Sequence, residues 1–291
     1  MARHFLTGEE LTTGELNGIV ERAIELKRDR LASRALEGLS VALVFDRPST
    51  RTRVSFETGV FELGGRPLVL REGELQLSRG ESPRDTALVL SRMVHAIAIR
   101  TGPHEIVAEL AEYAEVPVIN MLTHEHHPCQ ALADLMTLRE RFGRLEGLTL
   151  AYVGDGNNMA RSLLIASRIA GIELKIATPP ELALPELESQ PLDEAVAGAH
   201  AIYTDVWVSM GDEAEAERKR ELLAPFKVDD SLLDKARDDA IALHCLPAHP
   251  GEEISPEVLY GDRSAVWDQA ENRLHAQKAL LELLLSSVRS R

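Results

Sequence analysis

Residues 46 to 53 read DRPSTRTR, three arginines, one aspartate and three hydroxyl side chains in eight positions. Arginine presents a planar fork of N–H donors that matches phosphate oxygens, and a serine or threonine hydroxyl caps a helix start. Placed at a helix amino terminus, where free backbone N–H groups and the helix dipole already favour an anion, such residues make a phosphate site. On composition alone a solvated basic turn with Ser49 as a plain N-cap explains them equally well. Two further stretches concentrate chemically capable groups: HEHHPCQ, with His124, His126, His127, Cys129 and Gln130, and HCLPAH, with His244, Cys245 and His249. Neither has the paired-cysteine or helical two-histidine spacing of zinc sites, so no metal is expected, and His244 and Cys245 are also readable as residues buried at a strand end. Arg100 and Asp205 close apolar runs, where an unpaired charge is costly, so each calls for an internal salt bridge or a ligand. GDGNN at 154 to 158 has two glycines of a dinucleotide fingerprint without a well-placed third, and a tight turn capped by Asn157 explains it as well.

These groups need a scaffold, and the hydrophobic pattern supplies one. Short apolar runs VALVF (41 to 45), PLVL (67 to 70), AIAIR (96 to 100) and VPVIN (116 to 120) read as four buried strands alternating with helices, one starting at Ser82-Pro83 and another over His104 to Ala114. Val54, Phe56, Val60 and Leu63 mark the apolar face of a helix that follows DRPSTRTR. PCQALADLMTLRERF, from Pro128 to Phe142, is a long helix with proline in its first turn and Gly143 after it. A second set of strands follows in LTLAYVG (148 to 154), ELKIAT (173 to 178), HAIYTD (200 to 205) and AIALHC (240 to 245), then one closing helix over DQAENRLHAQKALLELLLSSV. The expected fold is therefore α/β, two doubly wound parallel-sheet domains joined by a long helix with a cleft between them, the carboxy-terminal helix packing back on the first domain; the domains are expected at 1–127 with 272–291 and at 128–271. In open parallel sheets ligands sit at the carboxyl ends of strands, and every unusual stretch named above falls there.

A length of 291 residues suits two domains, and 44% hydrophobic with 27% charged residues is ordinary for a globular protein. A net charge of -15 disfavours nucleic acid and anionic membrane surfaces as partners. No apolar run reaches bilayer length, and the start MARHFLTGEE lacks a signal-peptide or transit-peptide layout, so a cytoplasmic protein is expected. Two cysteines allow at most one disulfide.

PSTRTRVSFETG closely resembles the carbamoyl phosphate signature of the aspartate and ornithine carbamoyltransferase family, and HPCQALADLMTL resembles its second block. Within that family DVWVSMG, HCLP and GDGNN are similar to the ornithine branch, and an acidic Asp205 suits a substrate with a cationic amine. The branch acting on acylated ornithines shares HPCQ and HCLP but lacks the serine-methionine-glycine stretch found here at Ser209, Met210 and Gly211.

The resemblance implies that Ser49, Thr50, Arg51 and Thr52 hold phosphate and that Arg100 spans phosphate and carbonyl oxygen. His127 and Gln130, with Pro128 and Cys129 beside them, would bind the carbamoyl group, with Arg273 returning to its oxygen. Gln76 matches a glutamine that reaches into a neighbouring subunit's site, which implies a homotrimer or a multiple of one. Asn158, Asp205, Ser209 and Met210 match ornithine-binding positions, with Cys245 and Leu246 near the reacting amine. The implied reaction is transfer of the carbamoyl group from carbamoyl phosphate to the δ-amine of L-ornithine, giving L-citrulline and phosphate in arginine metabolism, without a cofactor. Two features depart from the family pattern: Arg47 stands where lysine is common, and the stretch from Ala177 to Asp193 looks too short for the usual helix.

Overall fold

A computed structural model of the chain describes residues 2–75, 80–186, 188–208 and 215–286. It opens with helix α1, Thr13–Arg28, started by a capping box in which the Thr12 hydroxyl accepts the Glu15 N–H and the Glu15 carboxylate accepts the Thr12 N–H. No element was expected here, although Leu16, Ile19, Val20, Ala23 and Leu26 bury one helical face. Strand β1 (Ser40–Phe45) leads into α2 (Thr50–Glu62), then β2 (Arg66–Arg71), α3 (Pro83–Leu90), β3 (Ala96–Arg100), α4 (His104–Tyr113), β4 (Val118–Leu122) and α5 (Pro128–Phe142). Four parallel strands pair in the order β2-β1-β3-β4. The fourth strand runs over Val118–Leu122, two residues beyond the expected VPVIN, because Pro117 has no N–H for the ladder and pairing begins only after it.

The second set repeats the plan: β5 (Thr149–Val153), α6 (Asn158–Ala170), β6 (Glu173–Ala177), α7 (Leu192–Val196), β7 (Ala201–Thr204), α8 (Ala216–Leu223), α9 (Asp230–Leu233), β8 (Ile241–His244) and α10 (Pro256–Tyr260). Its parallel strands are ordered β6-β5-β7-β8, the same arrangement as the first sheet. Among the described residues of the short 178–191 stretch the only helical piece is a 3₁₀ turn at Pro180–Leu182. Helix α11 (Val266–Leu285) closes the chain, beginning two residues before the expected DQAENR stretch.

By internal packing the chain divides into two compact units, Met1–Met136 with Glu271–Arg291, and Thr137–Ala270, so α5 and α11 each cross from one to the other. The first is built on a core that includes Ala42, Val44, Ile97, Ile99, Val107, Leu110 and Val118. The second is built around Ala151, Val153, Ile202, Ala242, Val228 and Ile254. Burying each of the larger aliphatic side chains contributes roughly 1.5–3 kcal/mol, offset by the cost of ordering the chain. The expected helical face after DRPSTRTR holds for Phe56, Val60 and Leu63, which are buried, but Val54 is 57% exposed: two residues before Phe56, it lies about 200° round the helix axis, on the opposite face.

The two units share a local device. His95, immediately before β3, accepts the Ser40 N–H at Nδ1 (3.0 Å), and His200, immediately before β7, accepts the Thr149 N–H at Nδ1 (3.0 Å). Each imidazole satisfies the first N–H of the sheet's central strand, which requires it to be neutral with its proton on Nε2. Among the described residues no helix is long and apolar enough to cross a membrane.

Candidate active site

In the first unit, Ser49 is the N-cap of α2, its hydroxyl accepting the Thr52 N–H at 3.4 Å, so the hydroxyl-rich stretch does stand at a helix amino terminus. The loop before it is tied to the end of β3: the Asp46 N–H donates to the Arg100 carbonyl (3.0 Å) and the Thr101 hydroxyl donates to the Asp46 carboxylate (3.0 Å). Thr50 and Arg51 face solvent on the first turn, while Thr52 is buried. Of the arginines, Arg53 spends its fork on Glu57 one turn along the helix, a half-exposed pair. That leaves Arg51 as the arginine of the first turn suited to an incoming anion.

The buried side of this half is assembled from three distant stretches. Arg273, on α11, donates to the Thr52 hydroxyl and to the Gln130 side-chain carbonyl, each at 2.6 Å. Gln130 in turn donates from its amide nitrogen to Asp134 at 2.8 Å, which fixes which end of the amide faces Arg273. Arg100 and His127 lie within this group, both buried. Burial, then the Arg273 and Arg100 charges, hold the His127 imidazole well below its ordinary range, so it is neutral at working pH. Pro128 opens α5. The Cys129 thiol donates to the Asn120 carbonyl at 3.3 Å, and burial pushes it up to about 12, so it stays protonated. The structure thus brings Thr52, Gln130 and Arg273 into direct contact and sets His127 in the field of Arg100 and Arg273.

In the second unit the chemistry changes sign. Asp205 follows β7 and is 7% exposed. Its Oδ1 accepts the Val206 N–H (2.8 Å) and the Cys245 thiol (2.9 Å), and its Oδ2 accepts the Asn157 amide N–H (2.8 Å). Three donors therefore fix the orientation of the carboxylate. Cys245 follows β8, and Leu246 takes φ 61, an unusual left-handed conformation for a γ-branched residue, with its N–H donating to His244 Nδ1 at 2.9 Å and a cis bond to Pro247. Asn158 is the first residue of α6, whose N-cap is Asn157. The turn before it needs Gly156, since a Cβ there would lie 2.3 Å from the Leu182 carbonyl oxygen. Neither cysteine forms a disulfide. Gln76, Ser209, Met210 and Gly211 lie outside the described residues.

Asp205, His244 and Cys245 offer ligand atoms within 4.8 Å of one another, as do His249, Glu252 and Glu253. In the first set the atoms already bond one another or their neighbours: His244 Nδ1 accepts the Leu246 N–H, its Nε2 faces Glu253 at 3.1 Å, and the Cys245 thiol donates to Asp205. Glu253 is a residue that the histidine spacing gave no reason to seek. Lys219 is another: its ammonium meets Asp155 at 2.9 Å, and only its place in the fold reveals it.

The chain matches the model of the aspartate/ornithine carbamoyltransferase carbamoyl-P binding domain over residues 3–140 and that of the Asp/Orn binding domain of the same family over residues 146–284. The chain belongs to the aspartate/ornithine carbamoyltransferase family. It is 52% identical, over 309 aligned residues covering 100% of this chain and 99% of the relative, to an ornithine carbamoyltransferase of Acidothermus cellulolyticus. Among solved structures, ornithine carbamoyltransferase from Pyrococcus furiosus superposes with a TM-score of 0.92 at 46% identity, covering 97% of this chain and 96% of that one. The Thermus thermophilus enzyme gives 0.91 at 41% identity, with 98% and 99% covered. The two parallel four-stranded sheets with flanking helices are the fold that the resemblance implied.

Proposed function

We propose that the protein is an ornithine carbamoyltransferase, joining the carbamoyl group of carbamoyl phosphate to the δ-amine of L-ornithine to release L-citrulline and phosphate. Relatives of that name, covered over nearly their whole length, support the acceptor. The observation that carries the donor half is the convergence of Arg273 on Thr52 and Gln130, which links the phosphate signature, the second block and the closing helix through two 2.6 Å hydrogen bonds.

In this reading the first unit binds carbamoyl phosphate and the second binds ornithine. Ser49, Thr50, Arg51 and Thr52 take the phosphate on the amino terminus of α2. Arg100, Arg273, Gln130 and neutral His127 address the carbamoyl group, with Pro128, Cys129, Cys245 and Leu246 lining it. Asn158, Asp205, Ser209 and Met210 take ornithine. The free amine attacks the carbamoyl carbon, a tetrahedral intermediate carries its negative charge on the former carbonyl oxygen, and the C–O bond to phosphate breaks. Arginine and hydroxyl donors already in place stabilise that oxyanion without reorganising, and no protein nucleophile is needed. The side-chain amine of ornithine, like that of lysine, is protonated below about 10.4 in water, so its proton must be carried away, with Asp205, Cys245 and the phosphate itself as the candidate relays. A homotrimer with Gln76 reaching a neighbouring site, a cytoplasmic location and a role in arginine biosynthesis complete the proposal.

The test is a colorimetric citrulline assay with carbamoyl phosphate and each of ornithine, aspartate and an acylated ornithine. Ornithine alone should be turned over; turnover of either other acceptor in its place reassigns the branch.

A further inference from the structure

Asn157 has a second task besides capping α6. Its Oδ1 accepts the backbone N–H groups of Met159 (2.9 Å) and Ala160 (3.2 Å), which commits the oxygen to the helix and leaves the amide nitrogen to face Asp205 Oδ2 at 2.8 Å. Asp205 Oδ1 is held by Val206 and Cys245, so each carboxylate oxygen is gripped from a different side. The turn that carries Asn157 is braced in its own right. The Asp155 carbonyl accepts the Asn157 N–H (2.9 Å) and the Tyr152 hydroxyl (2.8 Å), while the Asp155 carboxylate pairs with Lys219 on α8 at 2.9 Å. Both side chains of that pair are largely out of water, 12% exposed for Lys219 and 6% for Asp155. Screening is weak there, and an ion pair so placed sets a position more firmly than one on the surface.

We infer that Asn157 is a positioning residue for the acceptor site, orienting the Asp205 carboxylate, and that the Lys219–Asp155 pair holds the turn from which it acts. This rests on the reading of Asp205 as the group that addresses ornithine. The chain of contact runs from α8 through Asp155 to the backbone of Asn157, through its amide to Asp205, and on to Cys245. The residues from Asp155 to Cys245 all belong to the second unit, read as the acceptor side, so failure of that chain should register chiefly on ornithine.

Asn157→Asp separates the two tasks. Aspartate caps a helix as well as asparagine does, so α6 keeps its start, but the donor to Asp205 is replaced by an oxygen of like charge. Wild-type protein is assayed first with ornithine and carbamoyl phosphate; no citrulline there overturns the proposed function itself. Given wild-type turnover, Asn157→Asp should raise the KM for ornithine by about tenfold to a hundredfold, the range of a hydrogen bond to a charged group, with the KM for carbamoyl phosphate within about twofold and Tm little changed. Lys219→Met should move the ornithine KM the same way by a smaller factor, and Lys219→Arg should restore it. An unchanged ornithine KM in Asn157→Asp, or an equal rise in both KM values, overturns the inference. If that variant does not fold, an unchanged ornithine KM in Lys219→Met overturns it.

Discussion

The two units carry the same sheet, order 2-1-3-4 in each, and the same histidine before the third strand, yet they present opposite chemistry at their strand ends. The first gathers Arg51, Arg100 and Arg273 around a helix amino terminus; the second gathers Asp205 and the Cys245 thiol, with no arginine among the described residues bonded to that carboxylate. A strand-end loop is a position, and the sign of the charge placed in it decides whether it addresses a phosphate or an amine. The scaffold is common and the selectivity is local.

Removing Arg273 should break the anionic half most severely. Arg273→Ala takes a double donor from Thr52 and Gln130, and kcat/KM for carbamoyl phosphate should fall by about a thousandfold, as when one oxyanion donor is lost, in steady-state assays at saturating ornithine. A drop of the same size for ornithine at saturating carbamoyl phosphate, with no loss for carbamoyl phosphate, would erase the contrast between the halves. Next in size is a stability effect confined to the first unit. The fully buried Lys278 ammonium meets Glu62 at 2.8 Å while Arg30 holds the other oxygen of that carboxylate, so Lys278→Met leaves a buried carboxylate with Arg30 as its remaining partner and should cost about 3 kcal/mol in urea denaturation, part of it recovered by adding Glu62→Gln. Asp205→Ala is the mirror of the arginine change: ornithine use should fall about a hundredfold while carbamoyl phosphate binding, read by equilibrium titration, stays near wild type.

The smallest effect is set by proton linkage. His127 is held below its unfolded value near 6.5, so above that pH both states are neutral and nothing is lost; as pH falls below 6.5 the unfolded chain gains a proton that the folded one refuses. Stability should therefore fall on the acid side by up to about 1.4 kcal/mol per pH unit for this one group, until its depressed folded value is reached. His4, His200 and His275 are lowered in the same direction, chiefly by burial. His127→Gln should flatten the slope by about one proton in urea titrations between pH 6.5 and 5, and an unchanged slope would show that His127 is not among the groups responsible.

Most of the fold was legible because each buried parallel strand is a short apolar run bounded by turn residues. AIAIR matched β3 residue for residue, and PCQALADLMTLRERF matched α5. Helix α1 was not anticipated, since its polar residues Glu21, Arg22 and Glu25 break the run that the eye follows, even though its capping box was visible at Thr12 and Glu15. Val54 misled because an apolar residue beside a helical stripe looks like part of it. At the site, types and strand-end positions were readable for Arg100, His127 and Asp205, but pairings between stretches far apart in the chain were not. Nothing local announces that Arg273 meets Thr52, or that Asn157 reaches past its own helix to Asp205.

Arg273 also bears on the order in which the protein is made. The unit that holds the phosphate signature is written in two instalments, one before and one after the whole of Thr137–Ala270. On the ribosome the first sheet and its helix-start loop emerge before the second unit, but the arginine that ties Thr52 to Gln130 emerges only after it. Of the two units, the one begun first is therefore finished second, and Thr52 and Gln130 stay without that clamp until Thr137–Ala270 has been synthesised.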